Sequence, residues 1–322
     1  MRRGPSLYPT VTRKFLADQA FRYVESTQKE YSRWLLQLQS RHPGKRIEQF
    51  TEDDLVEWIT HGDVSSATIG KRKQVVRAVF EWAAWKDLIV RNPAIGLNMR
   101  LRTPRRPVRT HNWLAGQERA ALLAACDDGV IGQRDRMVLL LGLLCGLRRA
   151  EIAGLRWSNV DLINRTLTFT GKGKKLSTVG IPKQLYEELF TWRSEQVLAR
   201  GRPVVGTDPL IVRLRNRIVE CHSPGKPAKG STHPVVMEVI PEWDKPLSIK
   251  GVHNILMKLS ERAGVRVRAH DLRRTFAGML EDQGKDIKDI SRAMRHESIA
   301  TTAVYMESNP ARTIAVTEDL VV

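Results

Sequence analysis

Arg148, Lys172, His270, Arg273, His296 and Tyr305 are far apart in the chain, yet their types form a set. Two guanidiniums and two imidazoles can hold the oxygens of a phosphate, a lysine can give up a proton, and a tyrosine hydroxyl can attack phosphorus. Cleaving a phosphodiester without a metal needs a nucleophile, neutralisation of the charge growing on the non-bridging oxygens, and a proton for the leaving oxygen. Arginine suits the second task, because its planar fork grips two oxygens and stays charged. Tyrosine is a weak nucleophile at its free pKa of about 10, so a cationic pocket that favours the phenolate belongs to such a site.

Each residue sits in a local sequence that accounts for its placement. Gly146-Leu147-Arg148-Arg149-Ala150-Glu151-Ile152 lies where an apolar helix ends and another begins, although Arg148 alone would read as a surface arginine at a helix end. Lys172 lies in Gly171-Lys172-Gly173-Lys174-Lys175, between two alternating segments, which by itself is a solvated hairpin turn. His270 and Arg273 are three residues apart and share one helical face. In the segment Arg295 to Tyr305 the tyrosine stands nine positions after His296; alone, this would be a helix with a buried tyrosine, capped by Ser298.

Taken together and in this order, the four segments resemble the tyrosine recombinases, the phage integrase family, over roughly the last two thirds of the chain. The resemblance implies a site-specific DNA recombinase. In it Tyr305 attacks the scissile phosphate to give a 3′-phosphotyrosine, Arg148, Arg273, His270 and His296 stabilise the transition state, Lys172 protonates the leaving 5′ oxygen and Glu151 supports the site. Lys174 and Lys175 are alternatives to Lys172. It also implies that no metal or nucleotide cofactor is used, that the partner is double-stranded DNA with specific core sites, and that a tetramer passes through a Holliday junction. The tail from Met306 to Val322, with Ile314, Val316, Leu320 and Val321, would dock on an adjacent protomer or fold back on its own domain; accessory proteins remain open as further partners. Two positions depart from the family pattern: Arg274 stands where histidine is frequent, and Arg295 where glycine is usual. The rival readings are a type IB topoisomerase-like enzyme and a non-catalytic sequence-specific DNA-binding protein, which would have no use for Tyr305.

Composition agrees with a polyanionic partner. The 322 residues carry 53 Lys and Arg against 35 Asp and Glu, a net charge of +18. The excess is spread along the chain, +10 over residues 1–110 and +8 over 111–322, as a protein gripping a duplex from two sides would need. The three cysteines show no metal-ligand spacing, and Cys221, His222 and His233 fit no standard zinc pattern. The longest apolar run, Met137 to Leu147, is too short to span a bilayer, and the reading is a cytoplasmic, nucleoid-associated protein without a membrane partner.

The elements that must position these residues are mainly helical with a small β-sheet, an α+β chain of two domains. Residues 1–97 read as a helical, core-type DNA-binding bundle. Within it Phe15 to Gln39 forms one long helix, a second helix is capped at Thr51, and Ser66 to Trp85 carries Lys71, Arg72, Lys73 and Arg77 beside an apolar stripe. The tryptophans at 34, 58, 82 and 85 read as core. Residues 98–112 form an extended linker in which Arg100, Arg102, Arg105, Arg106 and Arg109 alternate with prolines, either as a solvated charge run or as a strap across the phosphate backbone. Residues 113–322 read as the catalytic domain. Its insertion at 201–246, with seven prolines and one strand-like run, Val235 to Ile240, reads as a long functional or disordered loop.

Overall fold

A computed structural model describes residues 6–101, 113–171, 175–220 and 235–295, with the backbone alone for 216–220 and 235–237. The chain is mainly helical with two small antiparallel sheets, and it divides into two compact units, residues 1–108 and 109–322.

The first unit begins with a helical turn, Leu7–Val11, that runs into α1 (Thr12–Asp18), followed by α2 (Glu25–Arg41), α3 (Glu52–Thr60), α4 (Ser66–Trp85) and the single turn α5 (Leu97–Arg100). The one long helix expected from Phe15 to Gln39 is instead broken at residues 19–24. Asp18, at the end of α1, is held by Trp82 Nε1 at 3.1 Å and Lys86 Nζ at 2.9 Å, while Tyr23 folds its ring back onto Tyr31 at 5.0 Å. These contacts with α4 and α2 outweigh the gain from continuing one helix. Thr51 caps α3 by accepting from Asp54 N–H, and the Asp54 carboxylate accepts the Thr51 N–H in return. Leu35, Leu38, Leu55, Trp58, Val76, Val79 and Phe80 form the core. Trp85 departs from its expected place: it is 72% exposed, with Lys86 Nζ 4.4 Å from its ring.

The second unit opens with α6 (Gly116–Ala124), α7 (Gly129–Cys145) and α8 (Arg149–Gly154). A meander of β1 (Val160–Asp161), β2 (Thr166–Thr170) and β3 (Leu176–Gly180) follows, with Thr168 opposite Thr178 and Leu167 and Phe169 turned inward. Then come α9 (Lys183–Arg200), a ribbon of β4 (Val212–Glu220) against β5 (Val235–Pro246), and α10 (Ile249–Ala263), α11 (Ala269–Asp282) and α12 (Ile287–Met294). The ribbon corrects the loop expected for much of 201–246: Val212–Glu220, with arginine at 213, 215 and 217, pairs along Val235–Pro246. Its base is stapled by Asp208, which accepts from Arg200, Arg202 and the Val205 N–H. α7 is buried almost all round and forms the axis of this core. α11 packs against it at a glycine: a Cβ at Gly142 would stand 2.6 Å from Leu272 Cδ1, so the Leu272 side chain rests on the α7 backbone itself.

Candidate active site

The end of α7 places the first arginine. Gly146 adopts φ +58, the left-handed conformation that terminates helices, and Leu147 N–H returns to Leu141 O at 3.3 Å. The same glycine meets Phe276 of α11, where a Cβ would lie 2.5 Å from the ring. Arg148 is the residue that caps α8, and its side chain is partly exposed.

Glu151, three residues on, is the hub. Its buried carboxylate takes the Arg148 N–H at 2.8 Å through Oε2 and Arg148 Nη1 at 2.9 Å through Oε1. An acidic residue on the first turn of a helix satisfies an orphan N–H and suits the helix dipole, and here it also aims the arginine. Gly171, the last described residue before the turn, comes close to the same oxygen that takes Arg148 Nη1: a Cβ there would stand 3.8 Å from Glu151 Oε1. The lysine-bearing turn between β2 and β3 therefore starts against the same carboxylate.

α11 brings the second pair. Arg273 is only 2% exposed and donates to the carbonyl oxygens of Gly146 and Met294, so it joins the end of α7 to the end of α12. His270 lies one turn earlier, with an exposed edge. Partial desolvation, followed by the charges of Arg274, Arg273 and Arg148, holds its pKa below the ordinary imidazole value of 6.5. The bond from Arg273 to Gly146 O, two residues before Arg148, brings the two sequence-distant boxes together.

Arg295 completes the cluster, and sequence reading noticed it only as a departure from pattern. It closes α12 at φ +53, a left-handed position. Its Nη2 lies 3.3 Å from Glu151 Oε2 and 3.2 Å from Gly146 O, and its guanidinium covers the Phe169 ring at 4.8 Å. Burial pushes its pKa down, against the pull of Glu151. The signal that could have found it was the arginine in a glycine's place. Arg274, the other departure, faces Asp271 at 3.6 Å.

Among the residues singled out from the sequence, Arg148, Glu151, His270 and Arg273 are brought together. Lys172, His296 and Tyr305 lie outside the described residues, as do Lys174, Cys221, His222, His233 and the tail. So do Arg102, Arg105, Arg106 and Arg109. In the first unit, Lys71 pairs with Glu30 at 2.8 Å, Lys73 donates to Leu101 O at 2.9 Å, Arg77 meets Glu81 at 3.3 Å, and Arg100 meets Asp53 at 2.6 Å. Arg72 is used internally. It lies over Trp34 and Trp58 at 5.4 and 5.2 Å and donates to Trp58 O, Ile59 O and His61 O, closing the end of α3.

The sequence matches the phage integrase family over residues 112–312, well over half of the chain and the whole span of this site. The chain belongs to the phage integrase family. Its curated relatives include the tyrosine recombinase XerC of Xylella fastidiosa strain 9a5c, 25% identical over 244 residues that cover 75% of this chain and 70% of the relative. XerC of Bacillus pumilus SAFR-032 is 26% identical over 241 residues, covering 74% and 69%. Among solved structures, a dimer of lambda integrase residues 75–356 bound to a COC′ core site shares the fold with a TM-score of 0.67 at 14% identity, covering 94% of this chain and 95% of that one. The Tn1549 transposon integrase in complex with a circular intermediate DNA gives a TM-score of 0.62 at 18% identity, covering 96% and 99%. As a tyrosine recombinase of this family, the chain is an enzyme of site-specific DNA strand exchange.

Proposed function

We propose that the cluster around Glu151 is the phosphodiester-cleaving centre, with Tyr305 as nucleophile. The observation that carries this reading is the convergence on one buried carboxylate of Arg148, the start of the lysine-bearing turn at Gly171, and Arg295, which directly precedes His296. Arg148 keeps a partly exposed guanidinium to meet the scissile phosphate, and the family resemblance gives Arg273, whose guanidinium is buried on the Gly146 and Met294 carbonyls, the second cationic role. Two cations on the non-bridging oxygens stabilise the crowded phosphorane-like transition state where its charge develops. His270, held neutral, donates or accepts a hydrogen bond without adding charge, and His296 serves as a second imidazole on the phosphate. Tyr305 gives its phenolic proton to a neutral imidazole of the site as its Oη forms the bond to phosphorus, and the 5′ oxygen leaves with a proton from Lys172. The phosphotyrosine keeps the bond energy, so the 5′-hydroxyl of a partner strand can reverse the step.

The reaction then runs through a Holliday junction in a tetramer linked by the C-terminal tail. The first unit grips the core site through the outward cations of α4, Lys71 and Arg77, and the arginines of residues 98–112 add contacts to the phosphate backbone. The lambda and Tn1549 integrases, both seen on DNA, support duplex DNA as the partner. Such work lies with the chromosome in the cytoplasm, and among the described residues no helix is long and apolar enough to cross a membrane.

The test is covalent capture from a pool of nicked duplexes. Wild type gives a denaturant-resistant protein–DNA adduct and Tyr305→Phe gives none, while Arg148→Lys slows adduct formation about 10²–10³-fold because a point charge replaces the planar fork. Tight duplex binding with no adduct from wild type would reject the reading.

A further inference from the structure

Arg295 occupies a backbone conformation that disfavours every side chain except glycine's hydrogen, at φ +53. Such a position is kept when the side chain has a use. Its fork is spent on Glu151 Oε2 at 3.3 Å, Gly146 O at 3.2 Å and Cys145 O at 3.4 Å, one face lies over Phe169, and its buried Nε has no hydrogen-bond partner. The side chain is 12% exposed, so it is placed to act on Glu151 and not on a ligand in the open site.

Glu151 needs such a partner. A lone carboxylate beside the phosphate site would compete with the phosphate for Arg148, and a neutral Arg148–Glu151 pair would offer little field to an anion. With Arg295 present, the three groups carry a net positive charge, and Oε2 is satisfied by a cation that comes from another element.

We propose that Arg295 is the second counter-cation of Glu151, a positioning residue that leaves Arg148 free to engage the scissile phosphate. The proposal rests on the recombinase reading for the identity of that phosphate, but its core, anion binding by Arg148 tuned through Glu151, can be tested without DNA.

The experiment is a double-mutant cycle on the full chain with inorganic orthophosphate as the probe, followed by the His270 imidazole signal in NMR titrations. Arg295→Gly suits the left-handed backbone and keeps the fold, which a thermal melt checks. It weakens orthophosphate binding about tenfold or more, the scale of losing one partner of a buried charge pair. Arg295→Lys, which keeps the charge, recovers most of that loss. Glu151→Gln removes the need for Arg295, so Glu151→Gln with Arg295→Gly binds no worse than Glu151→Gln alone. A purely structural arginine would instead give losses that multiply in the double variant. Multiplying losses, an Arg295→Gly variant that binds like wild type, or a wild type that does not bind orthophosphate would each overturn the assignment. In parallel, Arg295→Gly slows single-turnover adduct formation on a captured duplex while leaving duplex affinity within about threefold. If the orthophosphate cycle behaves as stated and no duplex gives an adduct with wild type, the recombinase reading fails and the role of Arg295 stands.

Discussion

His270 shows how a site tunes one residue through its neighbours. Desolvation and three arginines lower its pKa below 6.5, so the folded protein binds fewer protons than the unfolded chain as pH falls through that value. Because the folded value is the depressed one, the contribution of this histidine to stability is fully present above about pH 6.5 and declines below it. An NMR titration of the imidazole should give a midpoint below 6.5, and Arg274→Gln, which removes the strongest of those three charges, should move it up. A midpoint at or above 6.5 in the wild type would contradict the packing around the site. Glu151 makes a companion point: one carboxylate caps a helix, aims an arginine and receives a second cation, so its loss would act on all three at once.

Helix α4 illustrates how an element divides its charges between folding and binding. Lys71 and Arg77 point outward into single, exposed ion pairs, which contribute little to stability, whereas Arg72 lies between two tryptophans and closes α3. Arg72→Ala should therefore cost about 1–3 kcal/mol in urea unfolding, from lost capping bonds and cation–π contact. Arg77→Ala should change stability by less than about 0.5 kcal/mol and weaken DNA binding across all sequences alike. Equal stability losses for the two would show that the helix does not separate these roles. In the other unit, the glycines of α7 do the corresponding work: Gly142 lets α11 come close, and Gly146 turns the chain so that Arg148 and the carbonyl held by Arg273 and Arg295 stand side by side.

At the scale of the whole molecule, a charge of +18 spread over both units makes DNA binding an ion-release process. If both units and the arginine-rich segment at 98–112 engage one duplex, with about six to ten phosphate contacts, affinity should fall about 10³–10⁵-fold between about 50 and 200 mM salt. Residues 1–108 and 109–322, expressed separately, should each give a shallower slope than the full chain. A full-chain slope no steeper than that of one half would rule out the clamp.

The boundaries of most helices and the β2–β3 hairpin were legible in the sequence, because helical period, alternation, capping residues and glycine turns are local signals. The same locality explains the errors. Tertiary contacts broke the long N-terminal helix at residues 19–24 and turned Trp85 outward, and strand pairing over a separation no local window covers made a ribbon of the proline-rich insertion. Six residues with phosphodiester chemistry could be named from type and order, but where Arg148, His270 and Arg273 come together could not. Glu151 gathers Arg148 from its own turn, Gly171 from a hairpin and Arg295 from the end of α12, and such convergence exists only when α7, α11 and the sheet pack around one core. Arg295 marks the division most clearly: in the sequence it is an arginine where glycine is usual, and only the fold turns its left-handed backbone and buried guanidinium toward the carboxylate it neutralises.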